Sequence, residues 1–269
     1  MIILAATPIG NLGDASQRLI DALENAQVVA SEDTRTTQRL LAALGIQNRP
    51  RLIALHDHNE KARAAELVEL ARATDVLLLS DAGMPTISDP GFGVVATAAG
   101  AGVAVSVLPG PSAVLAALAV SGLPTDRFTF EGFVPRKAGE RRSALSALGA
   151  ERRTMVFFES PSRLATTLAD MAAAFGADRP AVVCRELTKL HEEVRRGPLS
   201  DLAAWADDGV RGEIVIVVGG AAGPARSFED AVAYVSDLLA QGKRLKDACA
   251  EVAAASGHSS RELYNASLS

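Results

Sequence analysis

The chain has 269 residues, of which 48% are hydrophobic and 22% charged, and its formal net charge is −5. This balance is typical of a folded protein and excludes extensive disorder, and the length allows one large domain or two of modest size. The negative charge excludes binding to nucleic acid by bulk charge alone, although it leaves room for a local basic face.

The apolar runs are short, and none approaches the roughly 20 residues that span a bilayer. The first apolar stretch follows no basic residues, so it is typical of a first strand and not of a signal peptide. We therefore expect a cytoplasmic protein with no membrane partner. Cys184 and Cys249 have no C-x-x-C spacing and form no zinc pattern with the four His, so we expect buried thiols and no metal site.

Strand-like runs alternate with helical patterns from the N-terminus onward, which predicts an α/β fold. We assign residues 1–122 to a first α/β domain that carries the ligand-binding loops. Its predicted strands are 2–6, 28–31, 75–79 and 103–108. Asp14 is the predicted N-cap of the first helix, and further helices are predicted at 37–44, 92–101 and 114–120.

A second α/β domain is predicted over residues 123–222, after an interruption rich in Gly and Pro. Its predicted strands are 128–132, 154–158, 180–185, 192–196 and 213–218, in a mixed or antiparallel sheet with helices at 139–148, 162–175 and 199–206. A small-residue hinge at 219–227 then leads to a small C-terminal helical appendage, residues 223–269, whose helical patterns break at Gly242 and Gly257. The appendage has either a helix-turn-helix-like role or a role in packing or dimerisation.

Four turn segments each follow a predicted strand: TPIGNLGD, SEDTR, SDAGMPTISDPG and PGPSA. Because loops at the carboxyl ends of strands in an open α/β sheet converge on one crevice, we expect all four to line one site. The first turn departs from G-x-G-x-x-G, since Pro8 stands where the first Gly is expected, and no Walker A sequence occurs. Phosphate cradling is therefore poorly supported.

The residues of these loops combine polar and apolar chemistry. Ser80 and Asp81 offer acceptors, Met84 and Ile87 offer an apolar wall, and Ser112 stands at the start of a predicted helix with its free amides. This mixture favours a ligand with polar ends, an apolar aromatic middle and a positive centre beside the carboxylate.

Nine motifs occur in a fixed order: TPIGNLGD, SEDTR, ALHDHNE, SDAGMPTISDPG, LPGPSA, GLPTDRFTFEGFVPRK, FFESPSRL, RELTK and GEIVIVV. Together they resemble the small-subunit ribosomal RNA methyltransferase I family, which has the tetrapyrrole-methylase fold. The resemblance covers about residues 3–218 and extends into the helical tail. It implies two α/β domains with a cofactor cleft between them, S-adenosylmethionine as methyl donor, and a homodimer.

The resemblance also implies the acceptor, which is the ribose 2′-hydroxyl of a decoding-centre cytidine in 16S rRNA of the small ribosomal subunit. A methylase of a tetrapyrrole or corrin intermediate on the same fold is the alternative. A nucleic-acid-binding regulator that reads with its tail would leave the crevice unused.

By the same resemblance, the cofactor contacts come from both domains. Met84 stands where the family loop more often has a small Thr. The implied cofactor residues are Pro8, Ile9, Ser80, Asp81, Met84, Ile87, Ser112 and Ala113 from the first domain, and Phe158, Glu213 and Ile214 from the second.

A ribose hydroxyl is a weak nucleophile at neutral pH, so the site must align it and could help to remove its proton. The predicted catalytic or orienting groups are Glu32, Asp33 and Glu159, with Arg35 and Arg163 to hold RNA phosphate or orient the carboxylates. The structural alternatives are a helix-start pair for Glu32 and Arg35, and a helix cap for Glu159.

Short basic clusters at 135–142, 152–153, 195–196 and 243–246 could hold RNA phosphates, with solvated helix faces as the alternative. The predicted RNA contacts are Arg35, Arg163, Arg136 and Lys137, together with His56 and His58, which with Asp57 would line the RNA-facing edge or hold their loop. Aromatic residues make up only 4% of the chain, so a structured ribosomal surface fits better than loose single strands.

Overall fold

The computed structural model describes residues 1–56, 58–221 and 227–268. Its first sheet contains five parallel strands in the order β3-β2-β4-β1-β5. The strands are β1 (Ile2–Ala5), β2 (Val28–Ser31), β3 (Arg51–Ala54), β4 (Val76–Leu79) and β5 (Val105–Leu108). Every residue of β2 and β4 is buried, as expected of apolar central strands that are covered on both faces.

Helices cover both faces of this sheet, in two hydrophobic clusters. Helices α1 (Gln17–Asn25) and α2 (Thr34–Ala43) pack on one face, while α3 (Glu60–Ala73) and α4 (Phe92–Gly100) pack on the other. The predicted N-cap at Asp14 is wrong. Asn11 caps a 3-10 turn at Leu12–Asp14, the chain becomes extended again, and the Ser16 side chain caps α1.

The second sheet contains five strands in the order β6-β7-β10-β8-β9. Of the two predicted alternatives, mixed or antiparallel, it is mixed, because β6 and β7 are parallel and the other pairs antiparallel. Helices α6, α7 and α8 cover one face. The strands are β6 (Phe128–Phe133), β7 (Thr154–Glu159), β8 (Pro180–Arg185), β9 (Glu193–Pro198) and β10 (Ile214–Val218), and the helices are α6 (Ala138–Ala147), α7 (Leu164–Phe175) and α8 (Leu199–Ala206).

Helix α5 (Ala113–Ser121) joins the two sheets. It follows β5 of the first sheet, yet Val114, Ala117 and Leu118 are buried against residues of β7, β8 and β10 in the second. A continuous apolar contact therefore fixes the two sheets relative to each other, and it holds the carboxyl end of β5 beside the second sheet. This placement forms the cleft described below.

The C-terminal helices are α9 (Phe228–Ala240), α10 (Leu245–Ser256) and α11 (Ser260–Ala266). They share a small core of their own, and α9 begins with a capping box between Ser227 and Asp230. The predicted α/β class with a helical appendage is confirmed. Within the predicted hinge, residues 222–226 lie outside the described residues, as do the 222/223 domain boundary and Asp57.

Three further sequence predictions concern features away from the cleft. Cys184 and Cys249 are both buried free thiols, as predicted, and burial raises the pKa of Cys184 to about 11. No helix in the described part of the chain is long and apolar enough to cross a membrane. Across the same residues, no group of three or more His, Cys, Asp and Glu side chains is placed to hold a metal ion.

Candidate functional site

A cleft of about 420 Å³ lies where the loops after β1, β4 and β5 face the second sheet. Its volume is within the range of small-molecule pockets, and its position between two sheets is a favoured one for such sites. Its walls come from both halves of the molecule. They are formed by Ile9, Ala82, Gly83, Met84, Ile87, Ser88, Asp89, Ser112, Ala113, Val114, Phe133, Phe158, Glu159, Ser160, Pro161, Leu187, Gly212, Glu213, Ile214 and Val215.

Most of the predicted cofactor residues lie on these walls. Those on the walls are Ile9, Met84, Ile87, Ser112, Ala113, Phe158, Glu213 and Ile214. Pro8, Ser80 and Asp81 are not among the wall residues. The Ser80 hydroxyl is buried and donates to the carbonyl oxygen of Gly83 at 3.0 Å, so its contact is with its own loop.

The loop after β4 has an unusual backbone. Thr86 and Ser88 have φ values of +74° and +63°, in the left-handed region that side chains with a Cβ rarely adopt. At Gly91, with φ of +128°, a Cβ atom would lie only 2.7 Å from the Leu78 side chain. The loop is therefore held in a strained shape that places Met84, Ile87 and Ser88 on the cleft wall.

Two sets of hydrogen bonds hold the ends of this loop. At its start, Thr7 and Gly83 exchange backbone hydrogen bonds of 2.9 and 3.1 Å, which link it to the turn after β1. At its end, one carboxylate oxygen of Glu60 accepts from the backbone N–H of Gly91 at 2.9 Å and of Gly93 at 2.6 Å. Glu60 therefore caps the N-terminus of α4 from a neighbouring helix.

Glu60 belongs to the ALHDHNE motif and lies in the first turn of α3; it was missed as a site-forming residue because α3 itself was not predicted. Asn59 secures the motif, accepting from the His56 backbone N–H at 2.9 Å and donating to Ala54 at 3.1 Å. His56 and His58 are exposed, with ring centroids 6.2 Å apart. Neither lies on the cleft wall, and their contact with RNA stays a prediction.

The SEDTR segment lies beside the cleft, and none of its residues is on the wall. Asp33 caps α2 by accepting from the Arg35 backbone N–H at 2.8 Å, and it pairs with the Arg35 guanidinium at 2.8 Å. These bonds lower the pKa of Asp33 to about 2, which makes it a weak base. Glu32 is exposed next to it, and its catalytic role stays a prediction.

Asp33 also connects this segment to the loop after β4. Its backbone N–H donates to the Asp81 carboxylate at 3.2 Å. Partial desolvation raises the pKa of Asp81, while this hydrogen bond opposes the increase and the charge of Asp33 adds to it. Asp81 is thus an incompletely neutralised carboxylate that would gain from a cation bound beside it.

Glu159 lies on the wall, but both of its carboxylate oxygens already have donors. One accepts from the Ser160 N–H at 2.7 Å, and the other from the Thr167 hydroxyl at 2.7 Å and the Arg163 guanidinium at 3.2 Å. Arg163 in turn donates to the carbonyls of Val134 at 2.8 Å and Pro135 at 3.2 Å. The geometry therefore favours a positioning role for this pair over proton abstraction or phosphate binding.

Within the predicted basic clusters, Arg141 pairs with Asp170 and Arg153 with Glu151, both at 2.7 Å, and four other residues form two groups. Arg195 stacks on the Trp205 ring at 4.8 Å and Arg196 donates to the Ser121 carbonyl at 3.0 Å, so both support the fold. Arg136 and Lys137 are exposed and follow the cleft residue Phe133 closely in the chain. The second group is therefore placed to meet a substrate that approaches the cleft, although its contact with RNA stays a prediction.

One family model, described as Tetrapyrrole (Corrin/Porphyrin) Methylases, matches residues 1–203. Among solved structures, the chain is similar to the methyltransferase CobJ, with a TM-score of 0.62 and 20% identity over 82% of this chain and 94% of that one. It is also similar to a Thermus thermophilus uroporphyrin-III C-methyltransferase complexed with S-adenosylhomocysteine, with a TM-score of 0.54 and 22% identity over 81% and 96%. At these identities, the structures show a shared fold.

Curated relatives match almost the whole chain. Two of those that carry the name ribosomal RNA small subunit methyltransferase I illustrate the match. The one from Mycobacterium tuberculosis (strain CDC 1551 / Oshkosh) is 52% identical over 99% of this chain and 94% of its own length. The one from Escherichia coli O157:H7 is 41% identical over 99% and 94%. The chain therefore belongs to the tetrapyrrole (corrin/porphyrin) methylase family, and within it to the group of relatives named ribosomal RNA small subunit methyltransferase I.

Proposed function

We propose that this chain methylates the ribose 2′-hydroxyl of a decoding-centre cytidine in 16S rRNA. Its coarser activity, methyl transfer from S-adenosylmethionine to small-subunit ribosomal RNA, follows from its membership of this group. The observation that carries the finer proposal is the ordered set of motifs, because SEDTR, ALHDHNE and SDAGMPTISDPG all fold at or beside one cleft.

The residues of the cleft fit S-adenosylmethionine. Ile9, Phe158 and Ile214 offer an apolar wall, which suits the adenine ring and the aliphatic chain. The N-terminus of α5 at Ser112 presents backbone amides, and such amides suit a carboxylate. Glu213 on the wall shares the Lys189 ammonium with Glu186, and the negative charge left over in this group suits an ammonium or sulfonium. We propose these five as the residues that hold the cofactor.

When bound, S-adenosylmethionine supplies an electrophilic methyl group whose sulfonium leaves as a neutral thioether. Transfer would break the methyl carbon–sulfur bond, form the bond from the ribose oxygen to that carbon, and release the hydroxyl proton to solvent. Since Asp33 is a weak base and the oxygens of Glu159 are occupied, these residues support alignment of the hydroxyl more than proton removal. Alignment of two bound reactants can by itself supply much of an acceleration.

The finer partner and location predictions belong to the same proposal. We propose the assembled small subunit as partner, the cytoplasm as location, and a homodimer as the working form. The edge strand β5 supports a homodimer, because it pairs on one side with β1 while Val105 and Val107 are 37% and 43% exposed. Unpaired apolar edges favour association.

The decisive experiment offers purified protein three acceptors with labelled S-adenosylmethionine: small ribosomal subunits, naked 16S rRNA and a porphyrinogen. We expect label on the subunit, at one cytidine whose 3′ phosphodiester resists alkaline cleavage. Label on the base, or at another nucleotide, would contradict the finer proposal. Transfer to the porphyrinogen alone would favour the tetrapyrrole alternative. Size-exclusion chromatography with light scattering tests the homodimer.

A further inference from the structure

Phe133 is an aromatic side chain that the proposed cofactor set does not use. It lies on the cleft wall at the end of β6, and it is 57% exposed. Its ring is 5.6 Å from the Phe158 ring, which is itself 4.9 Å from Phe130. An aromatic face that is open to solvent at a ligand cleft, yet backed by other rings, is a common arrangement for holding a planar partner.

A β-bulge determines which way Phe133 faces. Phe130 pairs with Val156, but the next paired residue is Gly132, opposite Phe157, so Glu131 is the extra residue. Phe133 then pairs with Phe158 and shares its face of the sheet. In an unbroken register, Phe133 would lie opposite Glu159, and its side chain would point to the other face, where α7 packs.

Glycine makes this bulge possible. Gly132 has φ of +65°, which is the left-handed conformation of a bulge that bends the strand and redirects a side chain. A Cβ at this position would be in ordinary contact with the Ser88 hydroxyl at 3.7 Å. The bulge therefore sits against the loop after β4, and it brings Phe133 close to the strained part of the cleft.

The segment after Phe133 is also fixed. The Arg163 guanidinium donates hydrogen bonds to the Val134 and Pro135 carbonyls, and it forms an ion pair with the fully buried Glu159 carboxylate. Phe133 is thus anchored on both sides, by the bulge before it and by this ion pair after it. Its open face is pre-organised, which lowers the entropic cost of binding a partner.

We propose that Phe133 stacks the nucleobase of the RNA nucleotide that accepts the methyl group. The inference rests on the proposed function, because it takes an RNA nucleotide as the acceptor. Enzymes that act on one nucleotide of a structured RNA turn it out of its stack, and a displaced base gains from an aromatic face. Arg136 and Lys137 follow three and four residues later and are exposed; Lys137 pairs with Glu140 at 2.9 Å, and both residues offer positive charge to the flanking phosphates of such a nucleotide.

Phe133→Ala, Phe133→Leu and Phe133→Tyr test this role, with Phe128→Ala as the matched control. Phe128 is a partly exposed Phe at the opposite end of the same strand, away from the cleft wall. The measurements are KM and kcat for small ribosomal subunits, and the Kd for S-adenosylhomocysteine by calorimetry.

We expect Phe133→Ala to raise KM for subunits about tenfold or more, as loss of one stacked base predicts. Phe133→Leu should resemble Ala, Phe133→Tyr should remain near wild type, and Kd for S-adenosylhomocysteine should change less than about twofold. An unchanged KM in Phe133→Ala, or a full rescue by Leu, would overturn the proposal. A parallel rise in Kd would place Phe133 in the cofactor pocket, which also overturns it. If the wild-type protein does not methylate small ribosomal subunits, the proposed function itself is refuted. The role of Phe133 is then refuted as well, because it requires an RNA nucleotide as the acceptor.

Discussion

Removal of the Glu159 carboxylate should destabilise the protein strongly. The side chain has no exposed surface, and its oxygens accept from Ser160, Thr167 and Arg163. Breaking a buried ion pair by removing one partner costs about 3–5 kcal/mol. Because the Arg163 side chain is 22% exposed, it can recover some hydration, and we expect a cost near the lower end, about 3 kcal/mol for Glu159→Ala.

In a chain of this size, that cost corresponds to a fall of about 6–12 °C in Tm. Urea denaturation gives the free energy of unfolding directly. Glu140→Ala is the control, because it removes an exposed ion pair with Lys137, with side chains 59% and 81% exposed, and should cost at most about 1 kcal/mol. Equal losses of stability in the two variants would contradict the burial argument.

Glu159→Gln separates a positioning role from a general base. The amide can still accept from Thr167 but loses the charge that holds Arg163, so we expect intermediate stability and partial activity. A general base predicts a different result, in which Glu159→Gln loses most of its kcat and the small remaining rate lacks the acid limb of the wild-type pH profile. That result would refute the positioning role.

Three further predictions concern the cofactor cleft. Glu60→Ala removes the carboxylate that accepts from two N–H groups at the start of α4. We expect a higher Kd for S-adenosylhomocysteine and faster amide exchange at the end of the loop after β4. Glu69→Ala removes an exposed carboxylate of α3 and should cause neither change. The pKa of Asp81 lies above its ordinary 3.8, and a nearby cation would stabilise the ionised form of this carboxyl. The affinity for S-adenosylmethionine should therefore fall as the pH falls through the pKa of Asp81. A calorimetric pH series should show a smaller dependence of this affinity on pH in Asp81→Asn than in wild type. Lys189 bridges the carboxylates of Glu186 at 2.9 Å and Glu213 at 3.0 Å; Lys189→Ala should raise the same Kd several-fold, and unchanged binding would show that the bridge does not shape the wall.

The central strands could be predicted because burial on both faces leaves a strong pattern. Val76–Leu79 is an uninterrupted apolar run, Val28–Ser31 is apolar up to its last residue, and every residue of both is buried. The edge strand Arg51–Ala54 was missed, since it begins with an exposed Arg and buries only Ile53. Helix α3 was missed although Ala64, Leu67, Val68 and Ala71 have helical spacing. Its buried face is partly Ala, which gives a weak apolar signal.

The cleft walls could be placed by resemblance, but the contacts behind them could not. Glu60 and Gly91 are 31 residues apart in the chain, and no local pattern joins them. The bulge at Glu131 and Gly132 depends on pairing with β7, so the orientation of Phe133 follows only from the assembled sheet. In the sequence, an alternation of Phe at 128 and 130 suggests a regular strand that would turn Phe133 away from the cleft.

Asp33 and Glu159, two of the three carboxylates that the sequence predicts as catalytic, share a further feature. Asp33 is followed after two residues by Arg35, and Glu159 after four by Arg163, and each acid pairs with that Arg. Glu159 and Arg163 have the i,i+4 spacing that brings side chains together across one helical turn, whereas Asp33 reaches Arg35 from the N-cap position of α2. The sulfonium of the cofactor already activates the methyl group. Ion pairs that orient the loops therefore contribute more to the rate of transfer than a base that competes with solvent for the proton. Variants of either acid should therefore change KM or stability before they change the pH dependence of kcat.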